Sequence, residues 1–160
     1  MFTRHIILAA LLGVSAGTTQ AEVVSPSAVV VNEYGEIVQS LTGIAGDPAR
    51  GQEVMTTRGL GNCIACHEVT ALQDYPFHGE VGPSLDGVGA RWDEAGLRGI
   101  IANAKAMFPG SIMPSFYKVD GYTRPGDAYT GKAAEGALEP LLAAQDIEDV
   151  VAYLLTLTEY

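Results

Sequence analysis

A chain of 160 residues allows one packed domain, or one domain with an extension, and neither an internal repeat nor a low-complexity tract divides it. Hydrophobic content of 48% against 18% charged residues is that of an ordinary globule. The formal charge of −10 argues against a nucleic-acid partner, because such binding depends on Lys and Arg neutralising phosphates. A basic protein partner, or no charged partner, is more natural, and acidity also serves solubility.

The first 21 residues read as a signal peptide. Arg4 and His5 form a polar head, Ile6 to Val14 is an apolar run, and Thr19-Gln20-Ala21 offers small residues before a cleavage site after Ala21. The run is far short of the ~20 apolar residues that a bilayer span needs, so no membrane span is expected once it is removed. Export makes the periplasm the expected location.

Residues 22–46 read as an N-terminal arm with at most a short helix or strand. Val29-Val30-Val31 and Ile37-Val38 are β-prone, while Ser25-Pro26 and Asn32 to Gly35 look like turns. Packing on its own domain and docking on a partner are equally open roles for it.

From Asp47 the pattern sharpens into a domain over 47–160. Asp47 caps a helix whose first residue is Pro48, where the missing N–H costs nothing. That helix is expected to run to about Arg58-Gly59, with Gly51 allowing close approach of Tyr153 from the last helix.

Cys63-Ile64-Ala65-Cys66-His67 follows. Two cysteines three apart, with a histidine directly behind the second, let one turn form two thioether bonds to a porphyrin and place an imidazole on its iron. Cys63 and Cys66 would hold one covalent haem c, and His67 would ligate the iron. A zinc knuckle would need two further ligands beyond the only two cysteines, a redox dithiol would normally sit in a βαβ context, and a plain disulfide is the remaining alternative. Gly82-Pro83 comes next, and a proline carbonyl beside the imidazole would fix its ring plane and raise its basicity. Pro83 is the candidate for that role.

Asp93 starts a helix with Leu97, Ile100, Ile101 and Ala104 on one stripe, which stops by Pro109-Gly110. Met113 sits just beyond, before Pro114, in a position that proline keeps extended. It is the candidate for the second axial ligand, ahead of Met55 and Met107, which belong to helices. His78 is its competitor, and otherwise reads as a solvent-facing loop residue. The last helix carries Ile147, Val150, Val151, Leu154 and Leu157 as an apolar stripe, with Asp146, Glu148 and Asp149 near its positive end. No nucleophile elbow, phosphate loop or paired carboxylates stand in a context suggesting catalysis.

Helix, Cys-x-x-Cys-His, Gly-Pro turn, helix, Met-Pro loop and final helix together resemble a class I cytochrome c, an all-α fold. Gly46-Asp47-Pro48-Ala49-Arg50-Gly51, Gly61-Asn62-Cys63, Gly82-Pro83-Ser84-Leu85-Asp86-Gly87-Val88-Gly89-Ala90-Arg91-Trp92, Ile112-Met113-Pro114 and Glu148 to Leu154 narrow the likeness, and are similar to blocks of the SoxX family. Ala143 departs from the family's usual capping Thr or Ser, and Glu135 to Pro140 looks inserted. The resemblance implies a monohaem electron-transfer subunit paired with a SoxA subunit in the SoxAX L-cysteine S-thiosulfotransferase. That enzyme links thiosulfate oxidatively to a cysteine of the SoxYZ carrier, and SoxX hands the electrons to a soluble cytochrome c. The resemblance puts catalysis on SoxA, and carries Cys63, Cys66, His67 and Met113 over as haem residues. A free-standing periplasmic class I cytochrome c is the alternative.

Overall fold

The computed structural model describes residues 22–123, 125 and 132–160, so the signal peptide expected over 1–21 lies outside the described residues. Four α-helices carry the domain: α1 Pro48–Thr56, α2 Val88–Arg91, α3 Glu94–Met107 and α4 Ala144–Leu154. Three single 3-10 turns lie at Pro26–Ala28, Cys63–Ala65 and Thr70–Leu72. The all-α reading holds.

The start of α1 is set locally. Asp47 accepts a hydrogen bond from the Ala49 amide at 2.9 Å, and Pro48 occupies the first turn. The helix ends at Thr56, earlier than Arg58, because the chain turns back and the Gly61 and Asn62 amides both donate to the Val54 carbonyl. Gly51 and Gly46 let this end of the chain lie directly on α4. A β-carbon at Gly51 would overlap the Asp149 carbonyl and crowd the Tyr153 β-carbon, and one at Gly46 would overlap the Glu148 carbonyl. The α1–α4 contact is therefore made backbone to backbone, as the Gly51–Tyr153 pairing suggested.

The last helix differs from its sequence reading in two ways. It stops at Leu154, although Leu157 remains buried and its carbonyl accepts from the Gly89 amide at 2.9 Å, tying the C-terminal turn to α2. Glu148 and Asp149, read from sequence only as charges near the helix's positive end, are also buried, at 3% and 4% exposure. Asp149 accepts from the Asp47 amide and from Gln145 Nε2, each at 2.9 Å. Glu148 meets Arg98 of α3, itself 2% exposed, through Nε at 3.0 and 3.1 Å and Nη2 at 2.9 Å.

Residues 22–46 lie across this frame. Ile37 and Leu41 are 2% and 1% exposed and join the main core. The Leu41 amide donates to Glu148 Oε1 at 2.6 Å, Arg98 Nη1 donates to the Ile37 carbonyl at 2.8 Å, and the Ile37 amide donates to the Ala95 carbonyl at 3.1 Å. Gly35, at φ +84°, lets the chain pass against Met107. Of the two roles open for this segment, packing on its own domain is the one seen here.

Removing one partner of a buried ion pair strands the other charge. Arg98→Met is expected to destabilise the folded protein by about 3–5 kcal/mol in guanidinium unfolding, whereas an exposed ion-pair change such as Glu53→Gln costs under ~1 kcal/mol.

Candidate functional site

The Cys63–Ala65 turn begins at Asn62, whose left-handed backbone (φ 47°, ψ 40°) reverses the chain out of α1. The His67 amide donates to the Cys63 carbonyl at 3.0 Å, closing a helical turn that puts both cysteines and the histidine within one short segment. Ile64, at 4% exposure, anchors this turn in the core. The following loop is laced back onto it: the Gly79 amide donates to the Ile64 carbonyl at 2.8 Å, and the Gly82 amide to the Cys66 carbonyl at 2.7 Å.

His67 Nδ1 lies 2.7 Å from the Pro83 carbonyl oxygen. A carbonyl can only accept, so this contact assigns the proton to Nδ1 and leaves the Nε2 lone pair for a metal. Gly82 is required here, because a β-carbon would overlap Cε1 and Nδ1 of the ring. Further along, Asp86 accepts from Thr70 through its amide at 2.9 Å and its hydroxyl at 2.6 Å. That hydroxyl bond, foremost, holds the Asp86 carboxyl below its ordinary range, and Arg91 Nη1 fixes the same residue by donating to its carbonyl at 2.7 Å.

Cys63, Cys66, His67, Pro83 and Met113 all line one cavity of about 980 Å³. This is at the upper end of ligand-sized pockets. Its walls are apolar, with Leu97, Ile101 and Ala104 from α3, Val150 and Leu154 from α4, and Trp92 before α3. Two thiols, an imidazole with its Nε2 lone pair directed by Pro83, and a thioether, set on one apolar cavity, fit a covalently held haem with two axial ligands.

The rival chemistries find less support. Among the described residues no group of three or more His, Cys, Asp and Glu side chains is arranged to hold a metal ion, which disfavours a zinc knuckle. Burial pushes the Cys63 thiol up to about 12, the opposite of the acidic thiol that a redox dithiol uses. Both cysteines are free.

Met55, the other core methionine on the cavity wall, is 0% exposed within α1. His78 is not the solvent-facing residue its sequence context suggests. It is half-buried, its Nδ1 accepts from the Val69 amide at 3.3 Å and its Nε2 donates to the Leu72 carbonyl at 3.0 Å. Both ring nitrogens thus pin the loop after His67, and His78 is not among the cavity-lining residues. What sequence reasoning missed is the polar fastening of the Met113 loop: Lys105 Nζ donates to the Met113 carbonyl at 2.6 Å, and the Met113 amide donates to Ser111 Oγ at 3.1 Å.

Gly82→Ala is expected to displace the His67 ring from the Pro83 carbonyl, costing about 1–3 kcal/mol of stability in guanidinium unfolding. Voltammetry of the haem-loaded variant should read a higher reduction potential, because an imidazole without that acceptor is less basic and favours the ferric state less.

Comparison with known proteins agrees with this geometry. A family model for cytochrome c matches residues 48–158. A chain in the crystal structure of SoxXA from P. pantotrophus is 56% identical, with a TM-score of 0.81, over 84% of this chain and 98% of that one. The search of curated proteins returned no match. A family model spanning most of the chain, and a relative this similar over nearly its whole length, establish that the chain belongs to the cytochrome c family, as a member of its SoxX group.

Proposed function

We propose that this chain is the haem-bearing electron-transfer subunit of a SoxAX-type, thiosulfate-oxidising L-cysteine S-thiosulfotransferase. The observation that carries the reading is the 56% identity to a chain of SoxXA across 98% of that chain. The cavity joining Cys63, Cys66, His67 and Met113 supports it chemically. A free-standing periplasmic cytochrome c would need the same haem site, and the likeness to a chain of SoxXA favours the subunit reading over it.

In this reading Cys63 and Cys66 would anchor one haem c by thioethers, and His67 and Met113 would ligate its iron. The group, when bound, supplies a one-electron iron couple. The chain's own residues do the rest. The Pro83 carbonyl orients the imidazole and strengthens its donation to the iron. The aliphatic walls from α3 and α4 exclude water, and the Met113 thioether favours the lower oxidation state. With both axial positions filled, this subunit takes and gives electrons without binding the sulfur substrate, and the catalytic centre lies on a SoxA-type partner. That partner receives thiosulfate and the SoxYZ carrier cysteine; this chain passes the released electrons to a soluble cytochrome c. Periplasmic export through residues 1–21 suits the assembly, and among the described residues no helix is long and apolar enough to cross a membrane.

The test is reduction of this chain's haem in the purified heterodimer when thiosulfate and reduced SoxYZ are added together, monitored by absorbance. Reduction that needs both additions supports the reading, and its absence in an otherwise active heterodimer contradicts it. For the ligand set, Met113→Ala is expected to lower the reduction potential and to let carbon monoxide bind the ferrous protein rapidly and stoichiometrically. His78→Ala should leave both unchanged.

A further inference from the structure

Within α3 the helix is interrupted at Asn103, which has φ −159° and ψ 82°. Sharp helix breaks have identifiable causes, and here neither proline nor a glycine pair supplies one. What the break accommodates is the chain that follows Met113. The Phe116 amide donates to the Ile101 carbonyl at 3.3 Å, and the Tyr117 amide to the Ala102 carbonyl at 3.1 Å. Ser115 Oγ donates to Asn103 Oδ1 at 2.8 Å, and Lys105 Nζ donates to the Met113 carbonyl at 2.6 Å. Ser115, Phe116 and Tyr117 are 7%, 7% and 6% exposed, so the seated segment is part of the interior. Residues 101–105 of α3 thus hold residues 113–117, while Ile101 and Ala104 of the same stretch line the cavity.

We propose that Lys105, together with the break at Asn103, is a positioning element that holds Met113 on the iron. The proposal rests on Met113 being the second axial ligand. A methionine side chain has three rotatable bonds and little directional preference, so its placement is decided by the backbone that carries it. Pro114 keeps Met113 extended and brings no N–H of its own to the loop. The Lys105 ammonium therefore closes the loop from the helix side with a charge-assisted bond. The chain carries 19 acidic residues, yet this ammonium sits on the carbonyl of the one residue whose thioether must be held. Lys105 itself is exposed, so its replacement leaves the core intact.

The experiment compares the haem-loaded protein with Lys105→Gln, Lys105→Arg, Asn103→Ala and Met113→Ala, and with Arg58→Gln as the loss of an exposed positive charge outside residues 101–118. Two readouts report ligation directly: the long-wavelength charge-transfer band of methionine-ligated ferric haem, and the fraction of ferrous protein that binds carbon monoxide in a fast phase. Lys105→Gln is expected to shift the ratio of ligated to released Met113 by about three- to tenfold towards release, the range for one charge-assisted bond at a partly solvated site. Lys105→Arg should restore most of it, Asn103→Ala should act in the same direction, and Arg58→Gln should do nothing. Wild-type ligation in Lys105→Gln, while Met113→Ala opens the site fully, overturns the proposal. An equal effect from Arg58→Gln also overturns it, since general charge would then be the cause. If Met113→Ala leaves band and carbon monoxide binding unchanged, the axial-ligand assignment fails and the positioning role with it. Should Asn103→Ala fail to fold, the exposed Lys105 variants still decide.

Discussion

The buried pair of Arg98 and Glu148 is the constraint on which the rest of the structure depends. Glu148 on α4 receives Arg98 of α3, the Leu41 amide and the Ser40 hydroxyl, while Arg98 also reaches the Ile37 carbonyl and Glu94. One ion pair thereby joins three segments that are far apart in sequence. Its net contribution against an apolar replacement is modest, because desolvating two charges offsets most of their attraction. Its geometric consequence is larger: α3 and α4 can meet in one relation only, and the cavity takes its apolar walls from both.

The two faces of the site are built by different means. On the cysteine side everything is local. A left-handed Asn62, a closed turn and a glycine beside the imidazole place Cys63, Cys66 and His67 within a few residues of one another. On the methionine side only Pro114 and the Ser111 hydroxyl, which accepts from the Met113 amide, are local. Met113 lines the cavity from a stretch of chain whose other contacts are to α3, around its break at Asn103. In the proposed function an electron carrier would gain from this arrangement, since fixed ligands and dry walls would leave little to reorganise when the iron changes charge.

The sequence made the first kind of structure legible and hid the second. Cys63 to His67, Asp47-Pro48 and the Gly51–Tyr153 approach follow from spacing, capping chemistry and the lack of a side chain, all properties of a few neighbouring residues. Arg98 and Glu148 each sit three residues before a core position, Ile101 and Val151, which was the available signal that both face inward. Their pairing across the fold carries no local mark, so Glu148 read only as a negative charge near the positive end of its helix. The Asn103 break lacked proline or glycine to announce it. The segment 22–46 looked like an arm because the partners of Ile37 and Leu41 lie on α3 and α4, distant in sequence. His78 looked exposed for the same reason, its two acceptor and donor partners being set by how the loop folds back.

In the proposed function this chain works as one half of a sulfur-oxidising pair. The most direct measurement is isolation of the native protein from thiosulfate-grown cells, with haem staining and mass identification of every chain in the band that contains it. A second, larger haem-bearing chain in equal amount is the predicted result. A single small haem protein, with no partner at any salt concentration that preserves native complexes, would contradict the claim and leave an independent carrier with the same haem site.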